Sequence, residues 1–236
     1  MTAGLVGHIA GLWRYPVKSM AGEALPSVEV SWHGLAGDRR WAFIRDGLVN
    51  SGFPWLTLRE RSEMSAYRPS FVDPGKPDKS ATRVRTPHGA EFDVTDPALA
   101  AGLWPQGTTL LRQDRGVFDT LPLSLISTRT IADLGASVGA DLDVRRFRPN
   151  FLLEPAGDAP FPEDEWLGRV LRIGELRMRI DKRDGRCVAI TIDPDTFERN
   201  PEVLRRVGRD RGGCLGVYGS TVTPGRVALG DAVHLE

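Results

Sequence analysis

The chain has 236 residues, of which 41% are hydrophobic and 26% charged, the balance of a folded protein rather than a disordered one. Lysine plus arginine and aspartate plus glutamate both total 31, so the net charge is zero. That balance argues against a nucleic-acid sheath or a polybasic membrane binder. No apolar run approaches the ~18 residues of a membrane span. Residues 1–17 show no basic stretch leading into an apolar core, so no secretory signal is expected and the reading is cytoplasmic. Two cysteines, Cys187 and Cys214, are too few for a disulfide scaffold and are expected as free thiols.

With 26 glycines and 17 prolines, the chain is punctuated for many short strands. Residues 5–17 read as a strand and its exit. Residues 27–32 alternate, with Val28, Val30 and Trp32 on one face, the period of a half-buried strand. Residues 41–44 form the next strand, and Asp46-Gly47 reads as a hairpin turn into Leu48-Val49. Residues 71–82 lack periodicity and read as a mobile loop. Residues 84–86 and 90–94 flank Pro87-His88-Gly89 as a second hairpin. Ser127-Thr128 precedes a capped helix over 129–137, and 201–207 reads as a helix with proline in its first turn. Strands over 170–173, 176–180, 188–192, 215–221, 227–229 and 232–235 follow at near-regular spacing, the pattern of a barrel or sandwich. The boundary between two domains is placed near 113–116, giving 1–113 and 114–236.

Several chemistries are missing from the pattern. There is no G-x-G-x-x-G, no phosphate loop, no G-x-S-x-G and no H-E-x-x-H. His8, His33, His88 and His234 are scattered and read as surface or structural. Cys187 follows Arg179, Lys182, Arg183 and Arg186. Nearby cations favour a thiolate, which is a nucleophile and a soft metal ligand; the plain alternative is a buried cysteine at a strand start. Cys214 reads as structural. Anion-binding pieces recur: Lys18-Ser19, Asp38-Arg39-Arg40, the helix start at Ser127-Thr128, the group Arg145, Arg146 and Arg148, and the run Arg205, Arg206, Arg209 and Arg211. Each could equally be a salt-bridge partner on a solvated face. Without interleaved aromatics, nucleic acid is not the expected partner.

Taken in order, six motifs resemble the MOSC superfamily, named for the C-terminal domain of molybdenum cofactor sulfurase. They are Tyr15-Pro16-Val17-Lys18-Ser19; Gly34-Leu35-Ala36-Gly37-Asp38-Arg39-Arg40-Trp41; Arg146-Phe147-Arg148-Pro149-Asn150; Glu163-Asp164-Glu165-Trp166; Arg186-Cys187 with Asp193-Pro194-Asp195; and Gly216-Val217-Tyr218 leading to Pro224-Gly225 and Gly230-Asp231. The resemblance implies a mainly β protein with a few short helices, a MOSC β-barrel packed against an N-terminal β-barrel-like domain. It implies a molybdenum cofactor (Mo-molybdopterin) lying between the two, with Cys187 as the catalytic thiolate on molybdenum. Lys18, Ser19, Arg39 and the helix start at Ser127 and Thr128 would hold phosphate and pterin. Arg148, Asn150 and Arg186 would add hydrogen bonds, Tyr218 would lie near the cofactor, and Asp119-Thr120 is a further candidate. Met20 and Gly185 stand where relatives often carry Cys and Ser. The implied activity is two-electron reduction of small N-hydroxylated or N-oxide substrates, as in amidoxime-reducing components and their bacterial counterparts. Electrons would come from a separate ferredoxin or flavodoxin with its reductase. Alternatives are a cofactor carrier without turnover, or a sulfur carrier with a persulfide on Cys187.

Overall fold

A computed structural model describes residues 4–48 and 50–236. Val49, in the second arm expected after Asp46-Gly47, lies outside the described residues. In chain order the strands are β1 (Gly4–Arg14), β2 (Glu23–Ala24), β3 (Ser27–Ser31), β4 (Gly34–Leu35), β5 (Trp41–Arg45), β6 (Arg68–Phe71), β7 (Thr82–Arg85), β8 (Glu91–Asp93), β9 (Thr108–Arg112), β10 (Leu123–Ser127), β11 (Phe151–Pro155), β12 (Val170–Ile173), β13 (Leu176–Gly185), β14 (Cys214–Thr223), β15 (Gly225–Ala228) and β16 (Ala232–Leu235). The α-helices are α1 (Pro97–Leu103), α2 (Thr128–Val138) and α3 (Pro201–Arg211). The protein is therefore mainly β with a few short helices. Among the described residues, no helix is long and apolar enough to cross a membrane. The chain forms two compact units: residues 4–13, Ala24–Ala36 and Asp119–Glu236 make one, and Arg14–Glu23 with Gly37–Phe118 make the other.

The first unit is a closed barrel of seven strands in the order β11-β10-β14-β13-β12-β16-β1, with β1 returning to pair with β11. β10 and β11 run parallel, and the other neighbours antiparallel. Period-2 patterning drives it: in β13, Leu176, Met178 and Ile180 are buried while Arg177 and Arg179 face out. They meet Leu12, Leu125, Phe151, Leu171, Val217 and Val233 in one core. Each such side chain contributes about 1.5–3 kcal/mol by leaving water. β15, β3 and β4 form a smaller sheet in the same unit. α2 and α3 share a second apolar cluster built from Ile131, Leu134, Val203 and Val207 with Ile190 and Leu215. Both helices end on a left-handed glycine, Gly139 and Gly212, the usual way to stop a helix without a Cβ clash.

The second unit holds the β5–β9 pair and the sheet β6-β7-β8. Phe43, Met64, Val84, Leu99 and Leu103 are buried in it. α1 starts at Pro97, with the Asp96 carboxylate accepting from the Ala98 N–H as its cap.

Two expectations are corrected. Residues 188–192 are not a strand: Val188–Thr191 is a 3-10 helix, closed by the Thr191 hydroxyl donating to the Val188 carbonyl at 2.7 Å. Its apolar residues serve the helix cluster, so a continuous apolar run imitates a buried strand. β5 does not pair with Leu48; the chain returns to it only further on, at the single bridge Ile44↔Trp55, where the Arg45 N–H donates to the Pro54 carbonyl at 3.0 Å and the Leu56 N–H to the Phe43 carbonyl at 2.8 Å. The turn forms, with the Leu48 N–H donating to Arg45 at 3.1 Å, but the ladder partner is β9, from Trp41↔Arg112 to Arg45↔Thr108. Residues 71–82, expected as a loop, connect β6 and β7, with the Phe71↔Thr82 pair at the base and a 3-10 turn over Pro77–Lys79. Asp78 in that turn accepts from Arg40 Nε at 2.8 Å, and its carbonyl accepts from Arg112 at 2.6 Å.

Candidate functional site

In the second unit, the segment after β1 is zipped to the start of β5. Val17 bridges Trp41, and the Lys18 N–H donates to the Trp41 carbonyl at 2.8 Å. This buries Lys18 to 6% exposure, with its ammonium donating to the Val117 carbonyl at 3.2 Å. Asp38, fully buried, accepts from the Tyr15 N–H at 2.7 Å and pairs with the Arg39 guanidinium. That guanidinium stacks over the Tyr15 ring at 4.6 Å, while the Arg39 carbonyl accepts from the Val117 N–H at 2.8 Å. Lys18 and Arg39 are thus brought together through Tyr15 and Val117, with Ser19 next in the chain. Beside them, Arg40 keeps a buried Nη1 that has no hydrogen-bond partner within the protein. Gly37 is required at this turn: its φ is +77°, and a Cβ would lie 2.6 Å from Pro77.

Backbone strain marks the same positions. Among the described residues five non-glycine residues have positive φ, and three of them, Ser19 at 68°, Arg39 at 50° and Arg148 at 52°, are residues that the motifs single out. Left-handed backbone costs such residues on the order of 1–3 kcal/mol, and it concentrates where function needs a fixed side chain.

In the first unit, Cys187 is a partly exposed free thiol just past the end of β13, opening the 3-10 turn Val188–Thr191. One arginine fixes the strand end before Cys187 and another holds the turn after it. Arg186 donates from Nε to the Leu215 carbonyl at 2.7 Å and from Nη1 to the Phe147 carbonyl at 2.8 Å, and it pairs with buried Asp184 at 3.0 Å. Arg146 donates to the Thr191 carbonyl at 3.0 Å and to the Asp193 carboxylate at 2.9 Å. Burial lowers the Arg146 pKa, opposed by the charges of Asp193 and Asp143. Asp193 is held below the ordinary carboxylate range, chiefly by the Thr196 N–H.

Arg148 follows the 3-10 helix Val144–Phe147, half-buried. Asn150 is 1% exposed; its Oδ1 accepts from the Ser124 hydroxyl at 3.1 Å and its Nδ2 donates to the Trp13 carbonyl at 3.2 Å. Tyr218 is the cross-strand partner of Ser124 and Lys182. Arg148, Asn150, Arg186 and Tyr218 therefore gather around Phe147 and Ser124. Asp119 and Thr120 are exposed.

Ser127 and Thr128 stand at the opposite end of β10, and the α2 N-terminus is already supplied with a carboxyl group. Ser127 is fully buried; its hydroxyl donates to Glu163 Oε2 at 2.9 Å and accepts from the Thr130 N–H at 3.0 Å. Its own N–H donates to Glu163 Oε1 at 3.3 Å. Burial pushes the Glu163 carboxyl up, against the pull of these donors. The Thr128 hydroxyl donates to Glu154 at 2.7 Å. Sequence reasoning singled out the helix start as an anion cradle and quoted Glu163 without a role. The missing signal was a carboxylate 36 residues away, which no local spacing reveals. Asp38 and Arg146 were likewise named in charged runs and motifs without a role of their own.

The arginines of α3 have partners on every position: Arg205 and Arg206 with Glu202, Arg209 with Asp210, and Arg211 with Asp164.

Comparison with known proteins agrees with this architecture. The MOSC domain profile matches residues 112–234, and that of the MOSC N-terminal beta barrel domain matches residues 6–106. The chain belongs to the MOSC domain family. It is 25% identical to human mitochondrial amidoxime-reducing component 1, over 98% of this chain and 83% of that protein. It is 27% identical to the molybdenum cofactor sulfurase of Drosophila grimshawi, over 86% of this chain and 31% of that longer protein. Among solved structures, the YUAD protein from Bacillus subtilis shares the fold, with a TM-score of 0.51 at 12% identity, covering 98% of this chain and 96% of that one.

Proposed function

We propose that this protein is a molybdenum-cofactor oxidoreductase that reduces small N-hydroxylated or N-oxide compounds. The observation that carries the reading is the partly exposed Cys187 thiol held on an arginine-clamped turn, in a chain whose strained positions, Ser19, Arg39 and Arg148, are the motif residues of a molybdenum-associated family. The donor set fits such a group. A thiol is a soft ligand suited to molybdenum. The cations Lys18, Arg39 and Arg148 fit a phosphate-bearing pterin, whose charge must find charge-assisted partners when it leaves water. The orphan Nη1 of Arg40 is a further donor awaiting an acceptor.

When bound, the cofactor supplies a two-electron centre that takes oxygen from an N–O bond. The residues of this chain bind and orient it. Lys18, Ser19, Arg39 and Arg148 are assigned to the phosphate and pterin, with Tyr218 beside it and Cys187 on the metal. Arg186 and Asn150 act chiefly by fixing the backbone that presents Cys187 and Arg148. Ser127 and Thr128 are left to the helix cap, because Glu163 and Glu154 already take their hydroxyls.

The test is direct. The full chain is produced in a host that makes the pterin cofactor, molybdenum and pterin are measured, and reduction of a simple hydroxylamine is followed with an artificial electron donor. Bound molybdenum with turnover supports the proposal. Bound molybdenum without turnover of any N-oxygenated compound would replace it with a cofactor carrier, and absence of both would overturn it.

A further inference from the structure

We infer that Cys187 and Cys214 form a redox-active thiol pair, in which Cys214 resolves a Cys187 oxidised by a peroxide. Gly185 and Cys214 are cross-strand partners where β13 and β14 meet. The next N–H, that of Arg186, donates to the Gly213 carbonyl at 2.8 Å. This bond pattern makes Gly185–Cys214 a non-hydrogen-bonded pair, in which Cα atoms lie about 4.5 Å apart.

Side chains alternate across such a ladder. Arg186 and Leu215 take one face: the Arg186 side chain is 7% exposed, Leu215 is 0% exposed, and they are joined by the bond from Nε. Cys187 and Cys214 take the other face, and both are partly exposed free thiols. Cys187 lies two residues past the last ladder pair with its backbone still extended, at φ −124° and ψ −177°, which sets it on the diagonal from Cys214, a spacing of roughly 7–8 Å. A disulfide forms up to about 6.8 Å, so the closing movement is small. Gly185, Gly212 and Gly213 border the pair, and none has a neighbour within 4 Å of where a Cβ would sit. No side chain at these three positions stands in the way of that adjustment. The Cys214 thiol donates weakly to the Gly212 carbonyl at 3.9 Å.

The chemistry balances with a hydroperoxide as the oxidant. The Cys187 thiol takes one peroxide oxygen, giving a sulfenic acid and releasing water or an alcohol. The Cys214 sulfur then attacks the Cys187 sulfur, the S–O bond breaks, an S–S bond forms and water leaves. The dithiol loses two electrons in all, and a dithiol reductant restores it. The disulfide would occupy the sulfur that the proposed function gives to molybdenum and would protect it from irreversible over-oxidation. The inference does not rest on that function, because its readout is covalent and needs no cofactor.

The purified full chain, reduced and without cofactor, is treated with a slight excess of hydrogen peroxide and read by intact mass and non-reducing peptide mapping. The expected result is loss of two hydrogens, a peptide linking Cys187 to Cys214, and recovery with dithiothreitol. Cys214→Ser should instead accumulate sulfenic and then sulfinic acid at Cys187. The pair is refuted if the untreated and treated chains both keep two alkylatable thiols. It is also refuted if linkage occurs only between chains, or if wild-type Cys187 reaches the sulfinic state as fast as in Cys214→Ser. The wild-type mass result stands by itself should the variant fold poorly.

Discussion

Cys187 and Glu163 are the two side chains whose chemistry is most sharply defined by their surroundings. Replacing Cys187 by Ser keeps the size and removes the soft ligand, so the fold should persist while turnover and molybdenum retention fall together. Equal melting temperatures with at least a hundredfold loss of hydroxylamine reduction would bear this out; wild-type turnover in the variant would remove Cys187 from the metal. Glu163 makes a pH prediction. Burial raises its pKa in the folded state above the ordinary value of about 4.3. Its contribution to stability is therefore fully present below that ordinary value and is lost as pH rises through its own raised pKa. Glu163→Gln does not titrate. The stability of the wild type relative to Glu163→Gln should therefore increase as pH falls from neutrality toward 4, measured by urea denaturation of both proteins. A difference that does not change with pH, or one that shrinks on acidification, would show that Glu163 is ionised at no cost where it lies.

At the level of elements, the turn that bears Cys187 is held from outside itself. Its four residues make one local side-chain bond, Thr191 to Val188; from outside, Arg146 and the Asn200 N–H both donate to the Thr191 carbonyl, while Arg186 fixes the residue that precedes Cys187. Arg146→Met should keep the apolar stem and delete the bonds to Thr191 and Asp193. Hydrogen bonds to charged groups contribute about 1.5–3 kcal/mol, so a loss in that range is expected in chemical denaturation, with faster alkylation of Cys187 by iodoacetamide. Unchanged alkylation would mean that the turn is rigid without Arg146. The same element shows where sequence reading stops. α2 was legible because Ile131, Leu134 and Val138 repeat at helical spacing behind a serine cap, and the first half of β13, residues 176–180, because it alternates strictly; the rest of the strand, past a register shift at Ile180, was not. Residues 188–192 were not, since a short apolar run has no period to separate a strand from a turn. The partner of β5 was hidden for another reason: Asp46-Gly47 does turn, but β9, more than 60 residues from the turn, offers the better ladder. For the candidate site, the cations and the thiol were readable as residue types. The clamps that fix them, Asp38 on Tyr15 and Arg146 on Thr191, are tertiary and were not.

For the molecule as a whole, the barrel depends on one seam. β1 closes it against β11, and Gly7 lies opposite Pro155 there; a Cβ on Gly7 would come within 2.2 Å of the Glu154 carbonyl oxygen. Gly7→Ala should cost about 1–3 kcal/mol, the usual range for forced overpacking, visible as a lower denaturation midpoint. Electron supply is also a property of the whole. These 236 residues hold two cysteines, against the four thiolates of an iron–sulfur cluster, and no dinucleotide fingerprint. We propose that the reductase takes its electrons from a separate redox protein, with α3 as the candidate face for an acidic one. Its four arginines stand against two acids, Glu202 and Asp210, so the pairings leave it cationic. The Arg205 and Arg209 side chains are 72% and 61% exposed, and both lie outside the residues assigned to the cofactor. Arg205→Glu with Arg209→Glu should slow ferredoxin-driven turnover roughly tenfold at low salt, the lower end of what electrostatic steering contributes. The rate with a small artificial donor should be unchanged. The wild-type rate with ferredoxin should fall as salt is raised, while the doubly reversed variant should be much less sensitive. Equal loss with both donors would place the damage in the site rather than in docking, and sustained turnover with NADPH alone would remove the need for a partner.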